Sequence, residues 1–328
     1  MQESVQVKEQ IAAGKKLLLA GDENLLKQLP AGDWIGGTIP YFMTEQGGLA
    51  TRDKIYVTEL PTVVSNLSIQ VYDEAALPCV YSDAAKYSFS IIIIPAASPT
   101  HLSFALNAPN YQDFAVRPLI GWISGVHLND LNKVTPKVFS GRNPTPLENA
   151  AVVMHVALPQ NQVAEIGILN IFEQSDGDTI TFPNDGFSAR EVFINGVKTD
   201  FADYIAAKKL DTRFPLVADY YGAMVNVSFQ SVDAEKHQVL LYAPVFAGLR
   251  YKHAKPIENY VQQFTSQMPT DLGNQLTFSC NCILNYLYSE LEGKQTGDFT
   301  GPITFGEVAY QLLNQTMVYL TLIDLTAQ

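Results

Sequence analysis

The sequence predicts an α+β fold: two interlocked domains with mixed, largely antiparallel sheets flanked by helices. Three observations carry this. The chain has 328 residues, more than one hydrophobic core usually supports. Hydrophobic residues make up 47% and charged residues only 16%, enough apolar surface to fill large cores. Short β-branched runs recur along the whole length, interrupted by fewer segments of helical spacing.

Taken in order, the first thirty residues read as helical. Asp22 is a good N-cap for 23–28, Leu25, Leu26 and Leu29 give that segment one apolar side, and Pro30 to Asp33 break it. WIGGTIPYFMTEQGG, beginning at Trp34, predicts a strand, a close turn and a second short strand. Strands are expected at 54–59 and 67–72. The run SFSIIII at 88–94 is apolar, rich in β-branched isoleucine and too short for a helix, so it predicts a central strand. Ser98-Pro99-Thr100 can start a helix through Leu106.

Further strands are expected at 119–126, 137–140, 151–158, 164–172, 179–182 and 191–194, with a turn from Glu173 to Asp178. Asp200 caps a helix with Phe201, Tyr204 and Ile205 on one face, Asp203 in its first turn and Lys208-Lys209 in its last. Strands at 223–230 and 238–242, a helix opened by Pro256, a strand at 276–280, a helix to about Leu291, a glycine-rich stretch and two closing strands complete the chain. The domains are placed at 1–165 and 185–328, with strand and turn 166–184 connecting them.

Net charge is −12. No Lys/Arg cluster exists to release counterions from nucleic acid or anionic lipid, so neither is an expected partner. No run of about 18 apolar residues is present, so no membrane insertion is expected. The apolar run at 17–20 is too short for a signal-peptide core. Three cysteines without an export signal point to a reducing, cytoplasmic setting.

The usual catalytic motifs are missing: no G-x-S-x-G, no phosphate loop, no H-E-x-x-H and no C-x-x-C. His155, inside an apolar strand, reads as a core or interface histidine. His127 follows a glycine-bearing strand at a loop edge and is a candidate for facing a ligand. In TFSCNC, 277–282, Cys280 and Cys282 share one face of a strand. Too few further ligands exist for a structural zinc site. Cys280 has two open readings. It is a thiol at a strand-to-helix junction, where helix amides favour a thiolate or an anion, or it is a small buried apolar residue.

The C-terminal third, with Phe278-Ser279-Cys280, Phe305-Gly306-Glu307 and Asn314-Gln315-Thr316, resembles the end of the FIST domain family. WIGGTI resembles that family's early small-residue strand, and 191–205 and 243–254 are loosely similar to its later segments. Leu313 stands where the family has a histidine, and NCILN follows Cys280 in place of an arginine- and glycine-containing segment. The resemblance implies a bacterial intracellular sensor of a small ligand, an amino acid or similar metabolite, signalling through a separate protein partner. On this reading Asp33, Gly36, Gly37, Thr38, His127, Cys280, Asn281 and Glu307 bind the ligand. The glycines would admit backbone amides and the acids would take an amine.

No cofactor is expected in this first reading, which makes the chain a binding protein more readily than an enzyme. The alternatives are a non-covalent haem sensor of nitric oxide, with His127, His155 or Cys280 as axial ligand, and an enzyme using Cys280. An exposed apolar face would pair copies in a homo-oligomer.

Overall fold

The computed structural model describes residues 1–328 apart from 65, 221–222, 270–271, 273–274 and 327–328. The fold is α+β, with several mixed sheets and few helices. Among the described residues no helix is long and apolar enough to cross a membrane.

Chain contacts divide the protein into two units. The first comprises Met1–Leu169, Met268–Leu312 and Met317–Gln328, and the second Asn170–Gln267 with Leu313–Thr316. The segment 185–328, expected as one domain, is therefore shared between the units. The physical reason is sheet pairing: Leu276–Cys282 and Met317–Asp324 lie in one ladder with Gln162–Leu169 of the first unit.

In the first unit, one sheet has the order Asn143–Leu147, Val138–Ser140, Trp34–Thr38, Leu17–Gly21, Tyr56–Glu59. Leu17–Gly21 lies where the sequence spacing favours helix. All five of its residues are buried. Leu17 and Leu19 pack on Val7, Ile11, Leu26 and Trp34, while Leu18 and Ala20 are buried on the other face. A strand covered on both sides reads as an unbroken apolar run, without the alternation that marks a half-exposed one. Helix Ser4–Ala12 precedes it and Glu23–Leu26, capped by Asp22, follows it.

A second sheet has the order Gln311–Leu313, Glu307–Ala309, Leu119–Ser124, Ser88–Pro95, Ala151–Ala157, Asn66–Tyr72. The isoleucine run is its centre, parallel to Leu119–Ser124 and antiparallel to Ala151–Ala157, and every residue of it is buried. The third sheet runs Gln162–Leu169, Met317–Asp324, Leu276–Cys282, Gly301–Thr304, Tyr41–Thr44, Gly47–Ala50.

The second unit holds a six-stranded sheet that includes Leu216–Tyr220 and Ala223–Val227, and a three-stranded one centred on Gln238–Val245. Its helix Phe201–Lys208 begins where Asp200 accepts a bond from the Asp203 amide at 2.9 Å and ends on left-handed Lys209. A neutral polar knot lies inside this unit. Asn170 and Asn226 exchange side-chain amide bonds at 3.0 Å, and Asn226 Nδ2 also donates to the carbonyls of Asn314 and Gln315. The Ser228 hydroxyl sits between the side-chain oxygens of Asn314 and Gln315.

Candidate functional site

Three strands of the first unit end at one place. Leu17–Gly21 and Trp34–Thr38 run parallel, with Gly21 level with Thr38, so Asp22-Glu23 and Ile39-Pro40 emerge side by side. Leu119–Ser124 delivers Gly125, Val126 and His127 to the same point, where the Gly125 amide donates to the Thr38 carbonyl at 2.7 Å. The Thr38 amide donates to the Lys137 carbonyl at 2.9 Å, and its hydroxyl oxygen accepts from the Lys137 amide at 2.9 Å. Thr38 spends its polar groups on holding these segments together.

Between them lies a pocket of about 310 Å³, including its solvent-open mouth. Asp22, Glu23, Thr38, Pro40, His127 and Asp130 are among its lining residues. Three acidic residues line it, and two of them have cationic partners that stand outside the lining: Glu23 pairs with Lys137 at 2.9 Å and Asp130 with Arg52 at 2.7 Å. Burial alone would lower the Lys137 ammonium, but Glu23 and Glu148 outweigh it and hold the pKa above the usual lysine range. His127 stacks on Tyr41 with centroids 5.5 Å apart, and its Nδ1 accepts from the Asn129 amide at 3.2 Å. The Tyr41 hydroxyl accepts from the Leu128 amide at 3.1 Å. Tyr41 and this bond fix the imidazole at the pocket wall.

Cys280 and Glu307 meet elsewhere in the same unit, in the protein interior. Glu307 is fully buried, with the Thr304 hydroxyl 3.2 Å from Oε1. The Cys280 thiol donates to the Gly121 carbonyl at 3.5 Å. Burial, then the Glu307 charge, pushes this thiol well above the ordinary cysteine range. It stays protonated, the reverse of what a nucleophile needs. Asn281 accepts from the Cys282 amide and from Asn285 Nδ2, both at 2.8 Å, and so shapes the turn into helix Ile283–Tyr288.

The remaining candidates serve packing or lie apart. A side chain on Gly37 would meet Ile93 at 2.7 Å and the Trp122 indole at 3.0 Å, and one on Gly36 would meet the Leu19 carbonyl at 3.2 Å. These glycines let sheet elements approach each other. Asp33 pairs with Arg142 at 2.7 Å at the start of the strand that Thr38 ends, about 16 Å away at the usual rise per residue. His155 has both ring nitrogens bonded, to Ser90 and to Tyr72, leaving neither for a haem iron. Among the described residues, one group of acids and histidine lies close enough to share a cation: Asp200, Asp203 and His237, on the surface of the second unit.

The structure thus brings Thr38 and His127 to one pocket and Cys280 with Glu307 to another place. Asp22, Glu23, Asp130 and Lys137 were not among the sequence candidates. Their signal was faint: each acid follows the end of an apolar strand, and only topology shows that the strand ends converge.

The chain matches a family of unknown function, DUF6976, over residues 2–323. It belongs to that family. Comparison with curated proteins and with solved structures finds no match.

Proposed function

We propose that this chain is a cytoplasmic sensory protein that binds an amine-bearing metabolite, such as an amino acid, in the pocket at the ends of the three strands, and signals through a separate protein partner. One observation carries the ligand assignment: Asp22, Glu23 and Asp130 line a single pocket together with His127, whose ring is held from behind by stacking on Tyr41. Crevices at the carboxyl ends of parallel strands are favoured ligand sites, and an acidic lining favours a cationic group. The sensory part rests on the FIST-like residues of the C-terminal third. The protonated, buried Cys280 gives a cysteine-dependent enzyme no support.

The test is thermal unfolding against a panel of amino acids and polyamines. A ligand at 100 times its Kd adds about 2.7 kcal/mol to the native state, which raises Tm by roughly 4 °C in a protein of this size. The shift should vanish in Asp130→Asn and His127→Ala. A Tm that no panel member moves would overturn the assignment.

A further inference from the structure

A chain of hydrogen bonds crosses three adjacent strands of the second sheet. Ser90 Oγ lies 2.7 Å from His155 Nδ1, His155 Nε2 lies 2.8 Å from the Tyr72 hydroxyl, and that hydroxyl lies 2.8 Å from Asp83 Oδ2. Ser90, His155 and Tyr72 are buried, and Asp83 is exposed. Proton counting gives the chain a direction. A carboxylate only accepts, so the single phenolic proton goes to Asp83 at 2.8 Å, a charged and nearer acceptor than the Gln70 side-chain amide at 3.1 Å. His155 Nε2 must then donate to the Tyr72 oxygen, and Nδ1 must accept from Ser90. Every bond points outward, and the imidazole is neutral.

We propose that this chain is a proton-operated latch: it holds strand Asn66–Tyr72 and segment 73–87 on the sheet while His155 is neutral, and releases them when His155 takes up a proton. The pocket plays no part in it. A buried imidazolium must find a counter-charge or water. Tyr72 and the segment that follows it offer Asp73, Glu74, Cys79, Tyr81, Asp83, Lys86 and Tyr87 as titratable groups, and helix Pro99–Asn107 offers His101. The one charge felt at His155 is Asp83, which lies beyond Tyr72. Ser88–Pro95 and Ala151–Ala157 are interior strands and cannot open cheaply. Asn66–Tyr72 pairs with one neighbour only and is half exposed, so it is the element that gives way.

Burial lowers the His155 pKa to about 4, with Asp83 opposing, against 6.5 for a free ring. If the ring is ordinary in the open state, the opening equilibrium grows about 30-fold between pH 7.5 and 5.0.

The test is hydrogen exchange on the full chain at both pH values, read as protection factors so that the chemical exchange rate cancels. The expected result is a roughly 30-fold loss of protection confined to 66–87, absent in His155→Gln. Loss spread evenly over the sheet, or the same loss in His155→Gln, would overturn the latch. If His155→Gln does not fold, Tyr72→Phe decides. It keeps the imidazole and cuts the chain, so 66–87 should already be unprotected at pH 7.5 to about the wild-type level at pH 5.0. Unchanged protection in that variant overturns the proposal. Release of helix 99–107 alone would do the same, because that assigns the acid response to His101.

Discussion

Two of the buried polar networks among the described residues, one in each unit, are built on different chemistry. In the first unit, Ser90, His155, Tyr72 and Asp83 form a chain with an ionisable ring at its centre and a charge at one end. In the second unit, Asn170, Asn226, Ser228, Asn314 and Gln315 form a knot with no titratable group. Both satisfy groups that would be costly to bury alone. Only the first can answer a change in pH. The same covalent resource, a strand-borne polar side chain, serves as a fixed cross-link in one place and a conditional one in the other.

The largest test of this contrast is Asn226→Ala. It removes one partner from each end of the Asn170 amide, which keeps the Met224 carbonyl and the Phe172 amide, and one from each of two carbonyls inside the second unit, each lost partner costing about 1–3 kcal/mol. Urea unfolding should show a loss of about 4 kcal/mol, and the same loss at pH 7 and pH 5. A loss that changed with pH would mean the knot is coupled to an ionising group.

Next in size is the acid response of the wild type. The His155 ring titrates at about 4 when folded and near 6.5 when unfolded. The unfolded state therefore binds more protons between those values, and stability falls as pH drops from 6.5 towards 4. At pH 4.5 the loss from this ring is about 2.5 kcal/mol, from about 1.36 kcal/mol per pKa unit. His101, buried and lowered to about 4, adds a similar slope. The double-mutant comparison of His155→Gln and His101→Gln by urea unfolding at pH 7 and 4.5 separates the two. An unchanged slope in His155→Gln would show that the first network is as indifferent to pH as the second.

Much of the fold was legible because the core strands announce themselves. The run at 88–94 is the observed strand Ser88–Pro95, 151–158 is Ala151–Ala157, and the Asp200 cap sits where the helix starts. Leu17–Gly21 was not legible: leucine favours helix, and burial on both faces erases alternation. The site was legible only in part. His127 stood out through its place after a glycine-bearing strand. Asp22 looked like a cap, and it is one, accepting from the Asn24 amide at 2.9 Å, yet it also lines the pocket. His155 was readable as a core histidine, but its partners Ser90 and Tyr72 lie 65 and 83 residues away and depend on strand register. The Asn314-Gln315-Thr316 stretch, notable in the sequence for its resemblance, has an internal use here in the knot.

The sharpest contrast between the networks comes from making the neutral one ionisable. Asn170 Nδ2 donates to the Met224 carbonyl and to Asn226 Oδ1, both at 3.0 Å. In Asn170→Asp one carboxylate oxygen would keep the bonds from Asn226 Nδ2 and the Phe172 amide, while the other would face those two oxygens with nothing to donate; that repulsion disfavours the charged form and raises the new group's pKa. Protonated, it can donate once and keep one of the two bonds. A folded pKa above the unfolded value means the protein is most stable below about pH 4 and loses stability as pH rises through the folded pKa, the opposite sign to His155. Asn170 is half-buried, so the expected loss at pH 7 is modest, about 1.5 kcal/mol. Urea unfolding of this variant from pH 4 to 8 should show that falling curve, while Asn170→Ala stays flat. If both variants were flat, the Asn170 end of the knot would be open enough to water to solvate a charge, and the knot's indifference to pH would come from solvation as much as from its lack of titratable groups.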